Sequence, residues 1–370
     1  MSRIAIDIRP LTDRHMTGVG FALLEALREL LPHASPTREY ILFASGTEET
    51  LSRIPELPKN SHVRVVHKAI PNKLVMIWSL LRTDALDTLL GEPCDAWWFP
   101  HWTIISTKKP FALTVHDASF VHTPHFYPKK DQLLTFFAKP HESAQKAKQC
   151  IVVSEHTGED IRETWGISPS KIYSAPLGVH SSFSIREQSS DRSYRASYDL
   201  NRPYILSLAT HEPRKNIFGI LEAYREVRRT DPQTPLLVLA GIPRLHIPPA
   251  LLQHVHVLGY IPTKHRPALM RGARALLFPS FNEGFGLPVL EALACGTPVV
   301  TSVATPPSSL FTHGIFPADP YNVIDITDAL RACLRLPQDT QTKELLHEQT
   351  IPFTWKKHAE ILERTFQRLC

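Results

Sequence analysis

Short apolar runs recur along the chain, each followed by a stretch whose apolar positions repeat every three to four residues. That alternation of strand-like and amphipathic helical runs is the pattern of parallel sheets covered by helices. The first series reads "RIAIDI" (3–8), "YILFAS" (40–45), "VRVVH" (63–67), "AWWF" (96–99), "FALTVH" (111–116) and "CIVVS" (150–154). Behind the first run, a helix beginning near Gly20 places Leu23, Leu24, Leu27, Leu30 and Leu31 on one face. Residues 181–203 are polar and lack sustained periodicity, which marks 183–203 as a linker between residues 1–182 and the rest. A second series follows within 204–352: "YILSLA" (204–209), "LLVLAG" (236–241), "VHVLG" (255–259), "ALLFPS" (275–280) and "PVVTS" (298–302). The closing segment, 353–370, predicts a helix capped by Thr354, with Trp355, Ala359, Leu362, Phe366 and Leu369 on one stripe. Two α/β domains in tandem are expected.

Composition narrows this picture. A length of 370 residues suits two domains of about 150–200 residues each. With 43% hydrophobic and 21% charged residues, the chain has the make-up of a soluble globular protein. The formal charge is +5, and the first 182 residues carry 20 Lys and Arg against 19 Asp and Glu. No concentrated basic stripe exists, so no nucleic-acid partner is expected. Five scattered cysteines without a C-x-x-C argue against a disulfide framework or structural zinc and fit a reducing, cytoplasmic setting. The N-terminal "MSRIAIDIRP" has too short an apolar run for a signal peptide, and "LVMIWSLL" (74–81) is too short to span a bilayer.

Candidate chemistry gathers where strands end. In "SFNEGFGLPVLEALACGTPVV" (280–300), Glu283 stands on a loop with Gly284, Phe285, Gly286 and Leu287, and Glu291 on the helix that follows. Pro288 is placed at the first position of that helix, and Gly296 closes it. A tight turn explains the glycines but not two carboxylates. Ligands of open α/β sheets bind beyond the carboxyl ends of strands. Loop N–H groups suit phosphate oxygens, and carboxylates accept from hydroxyls. One loop offering both suits a sugar nucleotide. In "SLATHEPRKN" (207–216), Arg214 and Lys215 follow another strand and would stabilise a departing diphosphate, while Asn216 caps the next helix. Without that ligand they read as basic surface residues before a helix.

Two weaker signals lie in the N-terminal half. His116 and Asp117 end the strand of "FALTVHDASFVHTPHFYP" (111–128); a histidine there serves proton or hydrogen-bond work, or structure alone. His122 and His125 lack zinc-site spacing, and no Asp-x-Asp occurs in the chain, so no metal or other cofactor is expected. Gly18 and Gly20 in "TGVG" (17–20) resemble part of a dinucleotide fingerprint. Position 23 is Leu, however, and the eight residues 9–16 make the turn too long for NAD binding. A loop reaching a ligand is the functional reading there, and a helix entry the structural one.

In order along nearly the whole chain, "IDIRP…TGVG", "TVHDASF", "VVSEHT" (152–157), "KIYSAPLGV" (171–179), "EPRKN", "NEGFGLPVLEALACGTPVV" and the closing "FTW" resemble the retaining glycosyltransferases of family four, often called group 1. The resemblance implies the GT-B fold: two Rossmann-like domains with parallel sheets facing a cleft, the last helix returning to pack on the first domain. It implies that Glu283 faces the donor sugar's hydroxyls and Glu291 the ribose. Lys215, helped by Arg214, would sit on the diphosphate, His116 beside the donor sugar, and Gly18 and Gly20 near diphosphate and acceptor. Asp117 and the loop 284–287 complete the donor site. The chain departs from the family pattern at Ala209, where Gly is common, at Thr210, where some members carry Arg, and at "PPSSL" (306–310), which lacks the family's acid.

The implied activity is metal-independent transfer of a hexose, mannose first, from a nucleotide-diphosphate sugar to a glycan or lipid-linked acceptor in polysaccharide or cell-envelope biosynthesis. A silent sugar-nucleotide-binding scaffold, or a nucleotide-sugar epimerase or phosphorylase of the same fold, are the rival readings. "KLVMIWSLLR" (73–82), with Lys108, Lys109, Lys129 and Lys130, offers a face for peripheral contact with the membrane, or else a core helix with solvated lysines.

Overall fold

A computed structural model describes residues 2–370. The chain forms two compact units. The first comprises residues 1–122, 128–178 and 354–370; the second comprises 123–127 and 179–353.

The first unit is built on seven parallel strands: β1 (Ser2–Asp7), β2 (Arg38–Ser45), β3 (Val63–Lys68), β4 (Ala96–Phe99), β5 (Phe111–Val115), β6 (Gln149–Val152) and β7 (Ile172–Ser174). Their order across the sheet is β3-β2-β1-β4-β5-β6-β7. Strands buried on both faces read as continuous apolar runs, and "AWWF" in β4 is the clearest. Successive side chains point to opposite faces. Trp98 therefore joins the core under the first and last helices with Tyr40 and Leu27, while Trp97 and Phe99 join Phe43 and Leu113 on the other side.

The closing helix, Trp355–Gln367, belongs to this first core. Thr354 caps it, Oγ1 accepting from the Lys357 N–H at 3.1 Å. Phe366 lies 5.4 Å from the Trp98 ring and 6.5 Å from Tyr40, and Trp355 meets Phe21 edge-on at 6.1 Å. The chain leaves the unit at Gly178 and re-enters beside it. A Cβ on Gly178 would stand 2.2 Å from the Trp355 nitrogen, so this crossing of backbones needs glycine.

The second unit carries six parallel strands: β8 (Tyr204–Leu208), β9 (Leu236–Ala240), β10 (Val255–Leu258), β11 (Ala273–Phe278), β12 (Val299–Ser302) and β13 (Ile315–Ala318), in the order β10-β9-β8-β11-β12-β13. The amphipathic helices Ile217–Thr230 and Val323–Arg335 pack on one face around Tyr224, Leu239 and Leu330.

Three sequence expectations need correction. Residues 183–203 are not a free linker, since 179–203 are part of the second unit and contain the helix Asp191–Ala196. The buried Arg271 guanidinium grips the Asp191 carboxylate at 2.6 and 2.9 Å and donates to the Ser182 and Ser184 carbonyls at 2.8 and 3.1 Å. A polar stretch held by one buried ion pair shows no apolar period. Residues 123–127 also group with the second unit, where Phe126 stacks on Phe281 at 4.8 Å and Phe281 on Tyr321 at 4.7 Å. Finally, β7 and β13 are short strands at sheet edges, too short and too exposed to show a pattern.

Candidate active site

The strongest constellation lies in the second unit, at the carboxyl ends of the neighbouring strands β8 and β11. Past β8, the chain stays beside β9 through Ala209 N–H to Ala240 O (3.0 Å) and His211 N–H to Ile242 O (2.9 Å). Pro213–Lys215 then makes one tight helical turn. Asn216 follows in the left-handed region at φ +55°. Its Oδ1 caps the next helix by accepting from Gly219 N–H at 3.2 Å, and its Nδ2 donates to the Pro279 and Pro320 carbonyls at 3.2 and 2.7 Å. A Cβ on Gly219 would stand 2.5 Å from that Oδ1, so glycine is required. Asn216 thus ties the turn bearing Arg214 and Lys215 to the exit of β11.

A second tie is electrostatic. Lys215 Nζ donates to Glu283 Oε1, and Arg214 Nη1 lies 3.5 Å from Oε2 while donating to the Asn282 carbonyl at 2.9 Å. Phe281 N–H donates to the Arg214 carbonyl at 3.0 Å, and Lys215 Nζ sits 5.1 Å from the centre of the Phe278 ring. Burial pushes the Lys215 pKa down, the neighbouring Arg214 adds to this, and Glu283 partly offsets both. Two cations share one carboxylate in a largely buried cluster, and Glu212 adds a weaker attraction for Lys215.

Eight residues on, the second acid is in a different environment. Gly286, at φ +85°, precedes the helix Leu287–Ala294, and a Cβ on it would come 2.6 Å from Pro307 Cγ. Pro288 is the second residue of that helix, not the first, and Phe285 is buried against Phe353 at 5.9 Å. Glu291 is 3% exposed, with no side-chain hydrogen bond among the described residues. Burial pushes its pKa up to about 7, with Arg266 pulling weakly the other way. Two more polar side chains at these strand exits are buried without protein partners, His211 through both ring nitrogens and Ser280 through Oγ. Neither stood out in the sequence, because unmet hydrogen bonding leaves no trace in a motif.

The remaining sequence candidates belong to the first unit. His116 follows β5, and its Nε2–H donates to the Pro100 carbonyl at 2.9 Å, leaving Nδ1 as an acceptor. Burial lowers its pKa, so the ring is neutral near pH 7. Asp117 spends Oδ1 on the Ser119 N–H at 3.0 Å, opening the short helix Ser119–His122. His101, which sequence reasoning missed, lies past β4 with its ring 6.3 Å from that of His116, and burial pulls its pKa down to about 4. Asp7 and Arg9, past β1, form a buried two-pronged ion pair at 2.8 and 2.6 Å. Gly18 opens the helix Gly18–Leu30, capped by Thr17, and a Cβ there would meet nothing within 4 Å. Gly20 is tighter, 3.1 Å from the Pro10 carbonyl oxygen. His122 pairs with Asp160 at 2.6 Å. Among the described residues, no group of three or more His, Cys, Asp or Glu side chains is arranged to hold a metal ion.

Comparison with known proteins gives this arrangement its class. The fold aligns over 100% of the chain with sucrose-phosphate synthase from Thermosynechococcus elongatus (TM-score 0.77, 17% identity, 99% of that chain). It aligns as completely with Anabaena HepE in complex with UDP-glucose (TM-score 0.68, 15% identity, 100% of each chain). This is the two-domain α/β fold of GT-B glycosyltransferases. Residues 191–348 match the family model "Glycosyl transferases group 1" and residues 40–183 match "Glycosyltransferase Family 4". The chain belongs to the family four, group 1 glycosyltransferases. It is 32% identical over 258 residues to the Escherichia coli O-antigen chain mannosyltransferase B, a stretch covering 66% of each protein. It is 26% identical over 253 residues to the E. coli serotype-specific mannosyltransferase WbdA, a match that covers 63% of this chain and 30% of that protein.

Glu291 yields a pH prediction. Its pKa rises from 4.5 in the unfolded chain to about 7 when folded, so between those values the native state binds more protons. The stabilisation is complete below about pH 4.5 and is lost as pH rises through about 7. Urea unfolding across that range should show stability falling with pH in the wild type and a flatter profile in Glu291→Gln. Parallel profiles would mean Glu291 does not titrate there.

Proposed function

We propose that the chain is a retaining, metal-independent hexosyltransferase that moves mannose from a nucleotide-diphosphate sugar to a glycan or lipid-linked acceptor in polysaccharide assembly. The observation that carries this reading is the Arg214–Lys215–Glu283 cluster, two cations fixed on one carboxylate at the strand ends where open α/β sheets bind ligands. In a partly dry site, fixed cations meet a departing diphosphate without reorganising. Glu291 supports the donor assignment: a buried carboxylate without protein donors is suited to the two hydroxyls of a ribose. The sugar is supported by the mannosyltransferase relative and the nucleotide class by the UDP-glucose complex of the structural neighbour.

The glycosidic C–O bond breaks toward the diphosphate, whose growing charge Lys215 and Arg214 stabilise. The acceptor oxygen bonds to the anomeric carbon from the same face, and its proton passes to the departing diphosphate oxygen. Glu283, already held by two cations, is a poor nucleophile and serves to position the donor sugar. In the first unit, His116 is neutral with its Nε2 proton engaged, which keeps Nδ1 as an acceptor suited to a hydroxyl. The loop 284–287 leads into the helix Leu287–Ala294, where backbone N–H groups suit phosphate oxygens.

A lipid-linked acceptor is supported by two helices of the first unit. Asn72–Leu81 exposes Leu74, Ile77, Leu80 and Leu81, and Lys129–Ala138 exposes Leu133, Phe136 and Phe137. Lys73, Arg82, Lys129, Lys130 and Lys139 flank these residues in exposed positions. Exposed apolar stripes edged by lysine and arginine suit the surface of an anionic bilayer, and among the described residues no helix is long and apolar enough to cross one.

Lys215→Ala should lower kcat by about 10²–10³-fold, the typical loss when one charge-stabilising donor is removed. Wild-type kinetics in that variant would remove the leaving-group role. Sedimentation with phosphatidylglycerol vesicles should carry the protein down, and Leu81→Glu with Phe136→Glu should leave it in the supernatant. Equal partition of both would exclude these helices as a membrane face.

A further inference from the structure

At the opposite, amino-terminal edge of the second sheet, beside the starts of β8 and β11, lies a cavity of about 420 Å³. Its size is that of a small-molecule site. Five cations line it (Arg195, Arg202, Arg271, Arg274 and Lys343) against one carboxylate, Glu187. Two of the five are neutralised, Arg195 by Glu187 at 2.6 Å and Arg271 by Asp191 at 2.6 Å. Arg274 donates only to the Leu334 carbonyl at 3.0 Å, and Arg202, Arg274 and Lys343 have no carboxylate within ion-pair distance among the described residues.

The backbone makes room for this arrangement. Gly272 lies where a Cβ would stand 2.5 Å from Arg195 Cδ and 2.7 Å from the Tyr204 hydroxyl. Gly296, at φ +72°, lies where one would stand 2.8 Å from Lys343 Cβ. Side chains on either glycine would push a cation out of the wall. Three unpaired cations around one concavity repel one another unless an anion sits among them.

We propose that this cavity is a second anion site, distinct from the donor site, which binds a small phosphorylated molecule through Arg202, Arg274 and Lys343. The three cations call for at least two anionic groups, as in a pyrophosphate or a sugar bisphosphate. Such a ligand takes charge-assisted hydrogen bonds from the guanidinium forks and the ammonium group, and the Asn201 and Gln338 amides in the wall provide neutral donors.

Calorimetric titration of the full chain with pyrophosphate at low ionic strength tests this. Three proteins are compared: the wild type, Arg202→Ala with Lys343→Ala, and Lys215→Ala. The expected result is binding that survives Lys215→Ala and weakens about tenfold for each wall cation removed. Circular dichroism spectra matching wild type establish that the variants are folded, and Arg202→Gln with Lys343→Gln replaces the alanine pair if they are not. Absence of pyrophosphate binding overturns the proposal. So does binding lost only in Lys215→Ala, which assigns it to the donor site, or binding unchanged in every variant.

Discussion

The ion cluster of Lys215, Arg214 and Glu283 is the constraint on which the second unit's site depends. Cations buried next to one another are costly to desolvate, and a single carboxylate between them recovers only part of that cost. Here the shared carboxylate comes from a different loop, so the cluster fixes the exit of β8 against that of β11. Asn216 makes the same connection with neutral hydrogen bonds to Pro279 and Pro320. The corner therefore holds two cations against one carboxylate in a fixed geometry.

The two acids of the glycine-rich segment are physically unlike. Glu283 is held by two cations, whereas Glu291 is buried on a helix without a hydrogen-bond donor, and burial pushes its pKa up to about 7. A group held as a salt and a group awaiting donors do different work. In the proposed mechanism the first positions the donor sugar and the second accepts from the ribose hydroxyls. Gly286 separates them at φ +85°, a conformation that starts the helix at Leu287 and brings the loop against Pro307. The "PPSSL" stretch, which departs from the family pattern, therefore still has a packing role beside the loop at Gly286.

Much of this was legible in the sequence, because its signals were local. Strands such as "AWWF" and "YILSLA" announced themselves by continuous apolar runs, and the last helix by its stripe and its Thr354 cap. Both halves of the ion cluster sat in motifs at strand exits. What escaped depends on long-range pairing: Asp191 with Arg271 makes an ordered segment of what reads as a polar linker, and His101 beside His116 needs the order of β4 and β5 to be known. The cationic cavity is assembled from segments spread between Ile185 and Lys343, so no short window of sequence contains it.

The central claim, that the second unit binds a nucleotide-diphosphate donor through these groups, is tested most directly by calorimetric titration of the metal-free protein with UDP, GDP, ADP and TDP. The account predicts that one nucleotide binds in preference to the others and that Glu291→Gln abolishes or sharply weakens that binding. A folded protein that binds none of the four, or whose affinity is indifferent to Glu291, would contradict it.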